Sequence, residues 1–353
     1  SIIMVEYLSG NRIQGSSTKS PPQTSWKVIA SSSGTSNPNT TGTFTSTPEN
    51  VMILTTAFEA DSYLRFGAGG TIDDTGTNGT DGNYCQRMIE DFNTDTTNQT
   101  LKNFLQVNGG GSLQSNEGIF NFITGVNVNG REKLFEVQSA NNSYGTATGD
   151  QAGTYQRQMK WSNTGVMNIA RMYSPSGTYT SDSEIIVLGA DNTEGDTGTN
   201  FWELLEEKTL ASANSDFNIG DFAEKKYLWI QIHDTNTSAT RNEIQFNSIT
   251  SANYNLIYER NGTKAIENGQ TKLKMGAWDW AGECFHNIFI CNISTKCKLI
   301  VWQTAKGTNR TVGSATFTKT DQAIKSLQMK ANSSGGYTTI GAGSTIKVWG
   351  GQL

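Results

Sequence analysis

Apolar residues in this chain recur at every second position within short runs, and Gly, Asn, Ser and Thr fill the gaps between the runs. That alternation is the signature of strands with one buried face. It is clearest in "KLFEVQSA" at 133–140 and "KLIVWQTA" at 298–305, where Phe135 and Val137 share one face and Ile300 and Trp302 share the matching one. The same reading predicts strands at 51–57, 62–66, 83–89, 118–124, 133–139, 166–172 and 184–189. In the second half it predicts them at 226–233, 243–247, 253–259, 271–275, 284–291, 297–303, 324–330 and 345–349. Two segments, "RMIEDFN" at 87–93 and "TLKNFL" at 100–105, have mixed spacing that admits a short helix. The expected fold class is all-β.

The two quoted strands belong to a longer correspondence. Residues 119–141 lie over 284–306 without a gap, at an offset of 165. Phe120, Ile123, Asn127, Lys133, Leu134, Gln138 and Ala140 meet identical residues at Phe285, Ile288, Asn292, Lys298, Leu299, Gln303 and Ala305. Other anchors keep the same order: Trp26 with Trp202, "NYCQRM" at 83–88 with "NYNLIY" at 253–258, "QMK" at 158–160 with 328–330, and "SEIIVLG" at 183–189 with "STIKVWG" at 344–350. Kept strands with variable loops between them read as one β module written twice. Glu136 against Val301, and Ile186 against Lys347, mark the face expected to point outward.

The organisation that follows is an N-terminal arm at 1–24, a first β-sandwich at 25–190, a linker at 191–200 and a second β-sandwich at 201–353. The arm opens on "SIIMVEYL" and breaks at Pro21-Pro22; Ile2, Ile3, Met4, Val5, Tyr7 and Leu8 make it an apolar strand suited to add to a neighbouring subunit's sheet. It has no basic leading region and is interrupted by Glu6, unlike a signal peptide.

Composition supports this picture. Of 353 residues, 35% are hydrophobic and 17% charged, with 37 Gly and 5 Pro, so the turns lean on Gly and Asn. The net charge of −5 and a longest basic cluster of Lys225-Lys226 argue against nucleic acid as a partner. No apolar run approaches the length of a membrane helix.

Candidate chemistry is sparse. The only two histidines, His233 and His286, lie inside β runs with no GxSxG nearby and read as structural. Of the four cysteines, Cys85, Cys284, Cys291 and Cys297, none forms a CxxC; Cys291 and Cys297 flank "NISTK" and are candidates to face each other as a disulfide, or else are small buried apolar residues. Asp73, Asp74 and Asp81 in "DDTGTNGTDG" read first as a solvated turn; the loop is oxygen-rich, so calcium is the alternative, although the spacing is not that of an EF-hand and no other cofactor is expected. The acids Asp191, Glu194 and Asp196 of the linker read as solvated. Trp278 and Trp280 in "GAWDWAG" share a strand face and form either a glycan-stacking platform or core. Nine N-x-S/T sequons occur, about what this composition yields by itself. No residue is assigned a catalytic role.

The stretch "EYLSGNRIQGSS" at 6–17, the later "KKYLWIQIHD" and the closing "STIKVWGG" resemble virion proteins of tailed phages and archaeal viruses. That resemblance covers the arm and the strand edges of both modules, not the loops, and the loops at 67–82 and 141–157 depart from it. It implies tandem jelly-roll-like β-sandwiches behind a short arm. The role it implies is structural, as capsid, decoration or tail fibre, on the virion surface or otherwise extracellular. The implied partners are further copies of the chain, other virion proteins and host surface glycans. The alternatives from another class are a surface or filament subunit of a cell and a glycan-binding receptor module.

Overall fold

The computed structural model describes residues 26–352 apart from 77–80, 93–96, 107–116, 143–151, 176, 191–199, 237–240, 276–281, 308 and 333–338, together with two short strands of the arm. It is all-β, with no helix among the described residues. In the arm, β1 (Tyr7–Leu8) pairs with β2 (Asn11–Arg12). Ile2, Ile3, Met4 and Val5 lie outside the described residues. The chain divides into two compact units, one made of 1–139 and 155–203, the other of 140–154 and 204–353.

The first unit is built from β3 (Lys27–Ser33), β4 (Asn39–Thr40), β5 (Asn50–Phe58), β6 (Tyr63–Ala68), β7 (Thr71–Ile72), β8 (Tyr84–Glu90), β9 (Thr97–Lys102), β10 (Leu105–Gln106), β11 (Gly118–Val126), β12 (Lys133–Asn141), β13 (Gly153–Trp161), β14 (Met167–Tyr173) and β15 (Glu184–Ala190). The second is built from β16 (Glu203–Thr209), β17 (Asp216–Asp221), β18 (Tyr227–Asn236), β19 (Arg241–Phe246), β20 (Tyr254–Arg260), β21 (Thr263–Gln270), β22 (Leu273–Lys274), β23 (Gly282–Cys291), β24 (Lys298–Lys306), β25 (Asn309–Phe317), β26 (Ser326–Asn332) and β27 (Thr345–Gly351).

Each unit has an eight-stranded sheet, ordered β3-β15-β5-β11-β12-β13-β8-β9 in the first and β16-β27-β18-β23-β24-β25-β20-β21 in the second. Each also has a small sheet, ordered β4-β14-β6-β10 and β17-β26-β19-β22, with β7 an extra strand on β6. Counting strands within each unit, and setting β7 aside, the two orders are the same. The gapless correspondence therefore falls on equivalent strands, β11-β12 and β23-β24. The "QMK" anchor does not: 158–160 lies in β13, equivalent to β25, whereas 328–330 lies in β26, equivalent to β14.

Between its two sheets each unit buries an apolar cluster, and Phe135, Val137, Ile185 and Val187 lie in the first just as Ile300, Trp302, Ile346 and Val348 lie in the second. An aromatic group recurs at one end. Tyr84, Phe66 and Trp161 pack with centroids at 6.0 and 6.3 Å; Tyr254, Phe246 and Phe317 pack at 4.8 to 6.0 Å. Each tyrosine hydroxyl accepts the backbone N–H of its phenylalanine partner at 2.8 Å. Gly313 pairs with Trp302 across β24-β25, and a Cβ at Gly313 would stand 2.3 Å from the indole, so glycine here makes room for the ring.

A polar frame also recurs. The Asn127 side chain donates to Met167 O and accepts the Met167 N–H at 3.1 and 2.7 Å, tying the end of β11 to β14 of the small sheet. Asn292 makes the same pair of bonds with Ile324, just ahead of β26, at 3.1 and 2.7 Å. The buried Lys133 ammonium donates to the carbonyls of Val128, Arg131 and Thr164; that of Lys298 donates to those of Ser294, Lys296 and Lys319. Three carbonyl oxygens on each compensate for removing the charge from water. The Ser183 and Ser344 hydroxyls accept backbone N–H groups of Phe58 and Thr235.

The structure corrects two expectations. The segments that admitted a helix are strands: 87–90 belongs to β8 and 100–102 to β9. Nor is the second face of the large sheets uniformly outward. Glu136 is exposed, but Ile186 and Val301 are fully buried. In the second unit that face carries a buried cross-strand aromatic row in which Trp229 stacks on Phe289 at 5.4 Å and stands 6.2 Å from Trp349. Their indole N–H groups are satisfied within the sheet by Asn287 and Gln231.

Replacing Asn127 or Asn292 by Ala strands a buried N–H and a C=O. Each substitution should cost about 2–4 kcal/mol, read as a lower denaturation midpoint in urea. An unchanged midpoint would show that the frame is dispensable.

Candidate functional site

The densest set of chemically competent side chains among the described residues lies where three neighbouring strands of the second unit's large sheet end. Asp234 on β18 stands opposite Cys284 on β23, and Ile232 opposite His286. Thr304 on β24 is opposite His286, and Lys306 follows two residues later. Antiparallel pairing points opposed side chains to one face, so Asp234, Cys284, His286, Thr304 and Lys306 gather on the core side. Asn242 comes from β19 in the small sheet. All six are buried.

Their hydrogen bonds run from the centre outward. His286 Nδ1 meets Thr304 Oγ1 at 2.9 Å, and its Nε2 meets Cys284 Sγ at 3.4 Å. Thr304 also reaches Met275 O at 3.2 Å. Asp234 accepts from Asn242 Nδ2 on one oxygen and from Ser344 Oγ, at 3.2 Å, on the other. Burial pushes the Cys284 thiol up to about 12 and, with the Lys306 charge, pushes the His286 imidazole down to about 3. Burial also pushes Asp234 up to about 6, against the hydrogen bonds from Asn242 and Ser344 and the Lys306 charge. A nucleophilic cysteine needs a depressed thiol pKa beside a protonated base. Here the thiol and the imidazole are both held neutral, so the pair is not an activated nucleophile.

The other sequence candidates are dispersed. Cys291 and Cys297 stand as separate thiols. The register sets Leu299 opposite Cys291, and Cys297 Sγ faces Phe317 O at 3.6 Å, so the expected disulfide pair does not face across the hairpin. Trp278 and Trp280 lie outside the described residues. Asp73 is not a solvated loop acid. Burial would raise its pKa, but hydrogen bonds from Trp161 at 2.8 Å, Asn83 at 2.9 Å and Thr75 at 3.2 Å hold it below the ordinary value. Both its oxygens thus accept hydrogen bonds from the chain, Oδ1 from Thr75 and Oδ2 from Asn83 and Trp161. Asp74 is exposed 4.0 Å from Arg65. Among the described residues no three His, Cys, Asp or Glu side chains are placed to share a metal ion. His233 is half-exposed, 3.7 Å from Glu283. Of the sequon asparagines, Asn39, Asn141 and Asn292 are buried, which leaves their amides no room for a glycan.

Sequence reading missed Asp234, Asn242, Thr304 and Lys306, which carry no local motif, and saw Cys284 and His286 only separately. A signal did exist at the two ends of the gapless correspondence, where Cys284 replaces Ile119 and Lys306 replaces Asn141.

The cluster should tilt stability with pH in two opposed directions. Asp234, with its folded pKa raised, contributes stability at acid pH that is lost as pH rises through about 6. His286, with its folded pKa depressed, contributes stability at neutral pH that is lost as pH falls below its ordinary value. Between about pH 4.5 and 7 each is worth about 2–3 kcal/mol and they nearly offset. Thermal melts across that range should show His286→Asn gaining stability toward acid and Asp234→Asn losing it. Parallel pH profiles for both variants and the parent would contradict this.

No protein-family model matches the chain, and no curated protein matches it. Among solved structures, the paired C2 domains of Extended-Synaptotagmin 2 align over 87% of this chain and 93% of theirs, at 8% identity and a TM-score of 0.13. Their calcium-bound form aligns over 87% and 99%, at 8% identity and a TM-score of 0.15. Likeness at that level carries no inference about fold or function.

Proposed function

We propose that this chain is a structural virion protein, a capsid, decoration or tail-fibre subunit that self-assembles through its sandwich edges and its N-terminal arm. The strand order supports a jelly-roll reading. In each unit the small sheet has the order of one jelly-roll sheet, and the large sheet has that of the other with one hairpin, β12-β13 or β24-β25, inserted and two strands added at an edge. Jelly rolls recur in capsid and lectin domains.

The observation that carries the assembly reading is an apolar pair exposed in one unit and buried in the other. Val126 and Leu134 are 40% and 58% exposed on the β11-β12 hairpin, whereas their counterparts Cys291 and Leu299 are 1% and 0% exposed. Edge strands point the same way. β16 carries Glu203, Glu206 and Glu207, charges that discourage further pairing, whereas β3 reads "KVIASSS" with Val28 37% exposed. An edge strand whose one charge, Lys27, stands at its start, and a bare apolar pair on the same unit, offer a second copy a place to dock.

Leu134→Lys should leave the melting temperature within a few degrees of the parent while abolishing higher-order assembly in light scattering and negative-stain images. Deleting residues 1–20 should likewise yield a folded, soluble monomer. Assembly that survives both changes would remove the basis for this reading. Open helical filaments from the parent would favour a cell-surface filament subunit instead.

A further inference from the structure

The buried cluster of the second unit is not required by the fold it sits in. Its equivalent in the first unit is apolar or neutral. Ala57 stands opposite Ile119 where Asp234 stands opposite Cys284, and Asn141 ends β12 where Lys306 ends β24. One strand order is thus completed once with Ala57, Ile119 and the neutral polar groups Asn121, Ser139 and Asn141, and once with an acid, a thiol, an imidazole and an ammonium. Buried ionic groups cost stability relative to well-packed apolar ones. Their presence at this place in only one of the two units points to a use other than packing.

Two atoms show what that use is. Lys306 is 7% exposed and its Nζ has no hydrogen-bond partner, unlike Lys133 and Lys298 with three carbonyls each. Asn242 is 2% exposed; its Nδ2 is held by Asp234 and its Oδ1 has no partner. A buried amine without acceptors therefore shares a pocket with a carboxamide whose leaving nitrogen is already bound to an acid. The Lys306 charge acts on Asp234, Cys284 and His286 alike, which places it among them. Only β23 separates β24 from β18, a span of about 10 Å across two strand spacings, within which the flexible lysine stem works.

We infer that Lys306 and Asn242 condense into an intramolecular amide, with Asp234 as the proton carrier. Asp234 takes a proton from the ammonium. The freed Nζ attacks Asn242 Cγ, forming one N–C bond, and the Cγ–Nδ2 bond breaks. Asp234 returns that proton to the departing nitrogen and takes the second proton that Nζ must lose, which the leaving ammonia carries away as ammonium, so that Asp234 ends as the carboxylate it began as. The step balances without oxidant, metal or cofactor. It replaces an unpartnered buried ammonium and an orphaned carbonyl with a neutral amide whose N–H can donate to Asp234. An acid held above its ordinary pKa suits a group that must both take and return a proton. The bond ties β24 of the large sheet to β19 of the small one, so the second sandwich is closed covalently as well as by its core. The inference does not depend on the assembly role proposed above.

The test is the intact mass of the purified, folded protein, followed by peptide mapping under denaturing, reducing conditions. The expected mass is lower than the sequence requires by one ammonia, with a branched peptide joining the Lys306 and Asn242 segments. Lys306→Met and Asn242→Ala should each restore the full sequence mass, and Cys284→Ser should keep the deficit. Should a variant fail to fold, the branched peptide of the parent decides alone. A parent mass equal to the sequence mass overturns the inference. So does a deficit of one water, which would put the bond on Asp234, or an ammonia deficit mapped to an Asn-Gly step.

Discussion

Two sheets can share an apolar core and still slide on one another, because apolar contact is not directional. In each unit the slippage is stopped by a buried carboxamide just past the second of the central strands. Asn127 and Asn292 reach from the large sheet to the small one and satisfy both a donor and an acceptor of its backbone. Their own backbone N–H groups bond to Glu49 and Lys226, ahead of the next strand in the large sheet. One residue therefore fixes three strands, and the hairpin that follows it must close around the ammonium of Lys133 or Lys298. The alternation of core residues on β12 and β24 has its register set from that point.

Most of this was legible where burial imposes a pattern. The central strands β5, β11, β18 and β23 alternate or run apolar, and these four were visible. Strands missed from sequence include β3 "KVIASSS", β16 "ELLEEKT" and β21 "TKAIENGQ" at sheet edges, and β25 "NRTVGSATF", which fills its core face with small residues beneath Trp302; β13 "GTYQRQMKW", inside the large sheet, was missed because Arg157 interrupts the buried apolar row of Tyr155, Met159 and Trp161. The "QMK" match misled because a single buried Met between two more exposed polar residues, Met159 in β13 and Met329 in β26, fits any strand with one core face and carries no register information. Asn127 and Lys133 were visible as repeated letters, but their work could not be read, since their partners lie on loops and strands tens of residues away. The buried cluster was illegible for the same reason, because its members come from four strands.

The comparison between units separates what the strand order needs from what was added to it. Asparagine, lysine, serine and tyrosine hold equivalent places and make equivalent bonds in both, so they belong to the scaffold. Where the units part, they do so at opposite extremes. The first exposes Leu134 where the second buries Leu299, and the second buries Asp234 and Lys306 where the first has Ala57 and Asn141. One unit has thus acquired surface and the other interior chemistry, on a framework that both retain.

A last feature concerns where the chain comes in and goes out. Lys27, at the start of β3, bridges to Asn200, and the Phe201 N–H donates to Trp26 O at 2.9 Å, so the first unit begins and ends side by side on one edge of its large sheet. A module whose two ends meet can be spliced in or removed without rethreading any strand. A polypeptide of this design grows or shrinks by whole cassettes, its length measured in modules rather than residues.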